Sequence, residues 1–353
     1  MRLGIWAPLP HTIRAGPEME RAIAELGTAG AGGAVDTSFA FATRILQQAE
    51  EAGFSISLIA ERWLGPDLES WVMASALSQR TRRMELMVAA HPGIVTPQAV
   101  AKMGASLDRI SGGRFAINLV NGWWPDELNL FGNGGWLEDS ADRAARLGEF
   151  VRVLRGLWTN DTFSFSGRYY TVENAGLPLK ARRSPPPIYA ASRSPEGKAL
   201  VAESCDVWFA DYVPDYRLYD DNLAAMTQEI AEMKALAAGH GRELGIGLSA
   251  HVICADTLDE AHTQAEEMLD YGKRSRIAAV SARGLGAGLV GTPELLAQRI
   301  ETYRRIGVDC LMLRFHPMAQ GLAAFGERVV PLLRERLTID DGPARSQLAL
   351  TDG

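Results

Sequence analysis

The side chains best suited to chemistry stand where short apolar runs end. Glu61 follows Ser55–Ala60, His91 follows Met84–Ala90, and Asn118 and Asn121 close the run that starts at Phe115. Ser194 with Arg193 follows Ile188–Ala191, Asp211 lies in Val207–Tyr212, His251 in Gly247–Cys254, and His316 follows Cys310–Phe315. An imidazole titrates near working pH, so His251 and His316 are candidates for proton transfer or for holding an anionic substrate group. His91, beside Pro92-Gly93, is a third. The alternative for each is a rim residue bonded to the backbone. The other histidines, His11, His240 and His262, fall on loops or helical surfaces.

Two stretches suggest a ligand. Ser192-Arg193-Ser194-Pro195 opens a helical pattern, where free backbone N–H groups, a serine hydroxyl and the helix dipole favour a phosphate. Asn121-Gly122-Trp123-Trp124-Pro125-Asp126-Glu127 joins a tight turn to aromatic faces and acids, which suits a flat heteroaromatic ring. Trp6, Trp63, Trp123, Trp124 and Phe315 together suggest an aromatic-lined pocket for a small molecule. No metal-ligand spacing is present.

The elements that carry these residues alternate. Apolar runs at Leu3–Ala7, Ser55–Ala60, Met84–Ala90, Phe115–Val120, Ile188–Ala191, Val207–Tyr212, Gly247–Cys254 and Cys310–Phe315 are predicted strands. Helical patterns lie between them, among them Ser38–Glu51, Thr96–Ile110, Arg143–Trp158, Asp220–Ala238 and Leu322–Leu337. About eight such units predict a single-domain (β/α)8 TIM barrel with insertions, an open doubly wound sheet being the rival. The barrel is expected over 1–338, with an insertion at about 159–187, where Thr162–Val172 alternates like a hairpin. A Gly-rich stretch at about 272–291 is either a mobile active-site loop or an inert surface one, and 339–353 reads as a flexible tail.

Composition sets outer limits. The 353 residues are 47% hydrophobic and 22% charged, ample for a core without metal or disulfide. A formal charge of −7 argues against nucleic acid or an anionic membrane as partner. No run approaches the ~18 apolar residues of a membrane span. Three widely spaced cysteines read as reduced thiols, and the start MRLGIWAPLP, with one arginine and no long apolar run, does not support a signal peptide, so a cytoplasmic location is expected.

Ser111–Gly132 (SGGRFAINLVNGWWPDELNLFG), Arg143–Trp158 (RAARLGEFVRVLRGLW), Thr162–Tyr170, Leu289–Ile300 (LVGTPELLAQRI) and Phe325–Leu333 (FGERVVPLL) resemble the bacterial luciferase-like flavin-dependent monooxygenases. Within that superfamily the chain is most similar to the alkanesulfonate, dimethyl-sulfone and pyrimidine ring-opening enzymes, from about residue 3 to about 335. The resemblance implies an FMNH2-dependent, two-component enzyme using O2 on a small organosulfur compound or amide-bearing heterocycle. A separate flavin reductase would be its partner, and a homodimer or homotetramer its assembly. It implies FMN contacts from Ala60, Glu61, Asn118, Glu127, Arg143, Ala144 and Ser194, with Tyr189 and Arg193 as helpers. His251 matches a histidine of the alkanesulfonate enzymes, but their arginine two residues earlier is Ser249 here. Their late tyrosine falls near His316, and their mobile-loop arginine corresponds to Arg283 or Arg276. A deazaflavin-dependent oxidoreductase and a non-catalytic flavin-binding subunit are the alternatives on this fold.

Overall fold

Strands buried on both faces need apolar side chains at nearly every position, and the chain supplies eight such strands. A computed structural model of the chain describes residues 1–8, 37–65, 67–122, 125–131, 135–274, 279 and 282–342. In chain order the strands are β1 (Arg2–Trp6), β2 (Ile56–Ile59), β3 (Glu85–Ala90) and β4 (Phe115–Leu119), then β5 (Ile188–Ala191), β6 (Val207–Ala210), β7 (Gly245–Cys254) and β8 (Cys310–Phe315). Each pairs in parallel with the next, and β8 pairs with β1. The ring closes, so the open-sheet alternative falls.

Helices cover the outside: α1 (Thr37–Glu51), α2 (Ser70–Ser78), α3 (Pro97–Ser111), α4 (Ser140–Thr159), α5 (Pro195–Ser204), α6 (Tyr219–Gly239), α7 (Leu258–Arg274), α8 (Pro293–Arg305), α9 (Met318–Arg328) and α10 (Val330–Arg336). Local chemistry sets their ends. Thr96 caps α3 by accepting from Ala99 N–H, Pro97 occupies the first turn, and Gly112 stops the helix in the left-handed region at φ 77°. The predicted single helix Leu322–Leu337 is two, α9 and α10, because Pro331 in the first turn of α10 has no N–H to continue the earlier ladder.

The pleat sorts side chains into two layers. Leu3, Ile5, Leu86, Val88, Ile117 and Leu313 face outward into the main core beneath the helices. Leu58, Met87, Ala116, Tyr189, Cys310 and Met312 fill the barrel interior. The lower end is plugged by polar groups. Glu85 accepts from Arg2 at 3.0 Å and from Arg183 at 2.7 Å, while the Tyr189 hydroxyl donates to Glu85 and accepts from Arg2.

The expected insertion holds an antiparallel hairpin, Phe163–Ser166 with Thr171–Ala175. Glu149 of α4 ties it down by accepting from the backbone N–H groups of Arg168, Tyr169 and Tyr170. In the Gly-rich stretch, α7 runs on to Arg274, Gly284–Ala287 forms a 3₁₀ turn, and Val290–Gly291 pairs in parallel with Ile253–Cys254. Arg276 lies outside the described residues, as do Trp123, Trp124, His11 and the tail from 343 onward.

Candidate active site at the upper mouth of the barrel

The C-terminal ends of the strands surround a cavity of about 760 Å3, within the range of small-molecule and cofactor sites. Trp6 of β1, Leu58 of β2 and Asn118 of β4 form one side of its wall. Ser192, Arg193 and Ser194 after β5, Asp211 and Tyr212 after β6, and Ser249 of β7 form the other. Arg143, Arg283 and Gly284 reach in from the helical layer, and Met312 and Arg314 of β8 complete the ring.

Each polar side chain is held by a specific partner. The Ser194 hydroxyl caps α5, accepting from Gly197 N–H at 3.2 Å, with Pro195 in the first turn. A side chain at Gly197 would place its Cβ 1.9 Å from the Ser192 hydroxyl, so only a glycine lets this loop fold back on the helix end. Asp211 sits between two cations. It pairs with Arg193 and, through both oxygens at 3.2 Å, with Arg283. Arg143 donates to the carbonyls of Leu137 and Glu138 at 2.6 and 2.7 Å and lies over the Trp136 ring. Tyr212 donates to the Ser249 carbonyl, and Trp6 donates its indole N–H to the Ser249 hydroxyl at 3.1 Å. The Arg314 guanidinium stacks on Trp6, 3.6 Å from the ring centroid.

Trp6, Asn118, Arg143, Arg193, Ser194 and Arg283 therefore converge as expected. Other candidates turn elsewhere. Phe315 points outward, edge-on to Phe54 and against Phe325, because alternation along β8 sends odd positions away from the barrel. Tyr189 faces inward but downward, into the Glu85 plug, and so cannot assist a phosphate beside Ser194. Trp63 meets Phe131 edge-on at 4.9 Å and does not border the cavity. Ala144 is buried in α4. Glu127 is spent on an ion pair with Arg62, both side chains buried. Glu61 accepts from Ser70 N–H at the start of α2, and burial raises its carboxyl to about 7. Ala60 packs on the barrel-interior cluster above Leu58.

His251 lies on the inward face of β7, two residues above Ser249, and Gly284 lies close against its backbone. It is 3% exposed, and neither ring nitrogen has a hydrogen-bond partner among the described residues. Burial first, then the nearby His316 and Arg314 charges, push its pKa down to about 3. At neutral pH it is an uncharged donor and acceptor rather than a titrating acid. His91 is similar: buried, pushed down to about 4 by burial, its Nδ1 without a partner.

Arg314 stands at a strand end in the sequence without an assigned role, and neither Ser249 nor Tyr212 is given one there. A visible signal existed for the first, since an arginine inside Cys310–Phe315 (CLMLRF) interrupts an apolar strand. The alternation that buries Cys310 and Met312 in the barrel places Arg314 there too.

The comparisons with known proteins agree with this geometry. A family model described as "Luciferase-like monooxygenase" matches residues 19–310. The FMNH(2)-dependent dimethylsulfone monooxygenase of Pseudomonas putida is 30% identical over 326 residues, covering 83% of this chain and 87% of that protein. The EDTA monooxygenase of Chelativorans sp. BNC1 superposes with a TM-score of 0.76 at 20% identity, over 98% of this chain and 96% of that one. The coenzyme F420-dependent tetrahydromethanopterin reductase of Methanopyrus kandleri shares the fold, with a TM-score of 0.66 at 15% identity over 94% and 98% of the two chains.

Proposed function

Because the chain belongs to the luciferase-like monooxygenase family, we propose that it is an FMNH2-dependent, two-component monooxygenase acting on a small organic substrate. The observation that carries this reading is the upper-mouth cavity, with a serine-capped helix end on one side and a stacked arginine and indole on the other.

The residues present fit FMN. Ser194 and the N-terminal N–H groups of α5 would hold its phosphate, Arg193 adding charge, and the loop made possible by Gly197 keeps these donors close. Asn118 offers the amide, and Leu58 and Val120 the apolar contact, that a polar heteroaromatic ring needs. When bound, reduced FMN supplies the electrons with which one oxygen atom of O2 enters the substrate and the other leaves as water. The chain's own task is to bind, orient and exclude water. Asp211 serves the last by tying Arg193 and Arg283 together across the rim. The stretch 272–291, which carries Arg283, is the element we assign to closing over the bound ligands.

The chain devotes its described residues to one barrel, which supports a separate reductase as the source of reduced flavin. Leu64, Leu130 and Phe131 are exposed beside Trp63, and this apolar surface supports a homo-oligomer. Among the described residues no helix is long and apolar enough to cross a membrane.

The test is oxygen uptake with FMN, a generic flavin reductase and a panel of sulfones, organic acids and amide heterocycles, beside spectroscopic titration with FMN and with a deazaflavin. Substrate-dependent oxygen uptake and selective FMN binding are expected. Selective deazaflavin binding without oxygen uptake would overturn the reading in favour of hydride transfer.

A further inference from the structure

Arg314 stands apart from the other cations at the cavity. Arg193 and Arg283 share Asp211, and Arg143 is used up on two carbonyls. Arg314 lines the cavity, yet among the described residues it has no carboxylate partner and donates no hydrogen bond; its one contact of note is the Trp6 face. Arg314 is half-buried at the cavity wall, and a guanidinium with its planar fork of donors unused there is placed to take a ligand that supplies the counter-charge. Burial lowers its pKa to about 10, which still leaves it charged at neutral pH.

Its neighbours are arranged for the same end. Trp6 holds the guanidinium plane from one side, and Trp6 is itself fixed by its N–H bond to the Ser249 hydroxyl. His251, directly across from Arg314 in the β7–β8 register, adds a buried imidazole with both nitrogens unpartnered. The position also lies around the ring from the phosphate cradle. Ser194 follows β5 and Arg314 ends β8, three strands apart in one direction and five in the other around a ring of eight. A flavin held by its phosphate at Ser194 leaves Arg314 on the opposite wall.

We propose that Arg314, stacked on Trp6 and backed by His251, anchors a compact oxyanion of the substrate, so that this enzyme takes small organic acids (carboxylates or sulfonate-type compounds) in preference to neutral sulfones. The proposal rests on the flavin-monooxygenase reading for calling this ligand the substrate; the anion site itself is a property of the chain. Arg314 is then a specificity-determining residue, and the bidentate geometry of its fork selects planar or tetrahedral oxyanions over a neutral S=O group.

The test is calorimetric titration of FMN-saturated protein with ethanesulfonate, propionate and dimethyl sulfone. At least one anion is expected to bind, with affinity falling as salt rises, and dimethyl sulfone to bind at least about tenfold more weakly. Arg314→Met should weaken the anion at least about tenfold while FMN affinity stays within about twofold of the parent. Arg314→Lys keeps the charge but loses the fork, and it should lie between the two; it also decides the matter if the Met variant does not fold. Neither anion binding to the parent, or anion affinity unchanged in both variants, would overturn the proposal. So would loss of FMN affinity with the anion unaffected, since Arg314 would then serve the cofactor. If the parent binds no FMN, the functional reading fails, and the same anion titrations on cofactor-free protein still judge the site.

Discussion

At the scale of single residues, the cavity divides its charged groups into those already partnered and those that wait for a ligand, and the two kinds should respond differently to substitution. Ser194 caps α5 beside the proposed phosphate site. Ser194→Asp preserves capping ability but brings a carboxylate to about 4 Å from a bound phosphate, a repulsion of a few kcal/mol in a partly buried site. FMN affinity, followed by flavin fluorescence, should fall by about tenfold or more; unchanged affinity would place the phosphate elsewhere. His251 tests the other kind. Burial lowers its folded-state pKa to about 3 from the usual 6.5, so its contribution to stability is complete above pH 6.5 and is lost as pH falls toward 3. His251→Asn should flatten that acid limb in thermal melts between pH 4 and 7. It should also reduce turnover by ~10²-fold with FMN affinity retained. Parental turnover in this variant would show that the buried imidazole only packs.

At the scale of elements, the connection from β2 to α2 depends on the buried pair of Arg62 with Glu127. Arg62→Met leaves a buried carboxylate without its counter-ion and should cost about 3–5 kcal/mol in urea unfolding, whereas Arg62→Met with Glu127→Leu should recover most of that loss. A double variant no more stable than the single would mean that the pair is held by something other than mutual charge. The barrel itself was legible in the sequence because parallel strands leave continuous apolar runs such as 86–90, and caps such as Thr96-Pro97 and Ser194-Pro195 mark where helices start. Runs of that kind do not say which alternate residues face inward. The sequence therefore suggests a pocket role for Phe315, which packs on Phe54 instead, and assigns none to Arg314 beside it, which lines the cavity. The partners of Glu127 and Tyr189 were not legible for a different reason: Arg62, Arg2 and Glu85 lie far away in sequence, and an ion pair or hydrogen bond between distant positions leaves no local pattern.

For the whole molecule, the asymmetry between the two ends of the barrel governs traffic. The lower end is stopped by Arg2, Glu85, Arg183 and Tyr189 bonded to one another, while the cavity lies at the upper end beneath the strand termini. Among the described residues the base is stopped and the cavity opens at the top, and two guests sharing a doorway must queue. Whichever of flavin and substrate seats deeper has to enter first and leave last, so steady-state kinetics should show compulsory rather than random order. Initial-rate plots varying both ligands, with a dead-end analogue of each, would reveal it: the analogue of the first guest should compete with that ligand alone, and the analogue of the second should be uncompetitive toward the first. Mutually competitive patterns would instead mean one shared seat, and noncompetitive patterns in both directions would mean a second way in through the base.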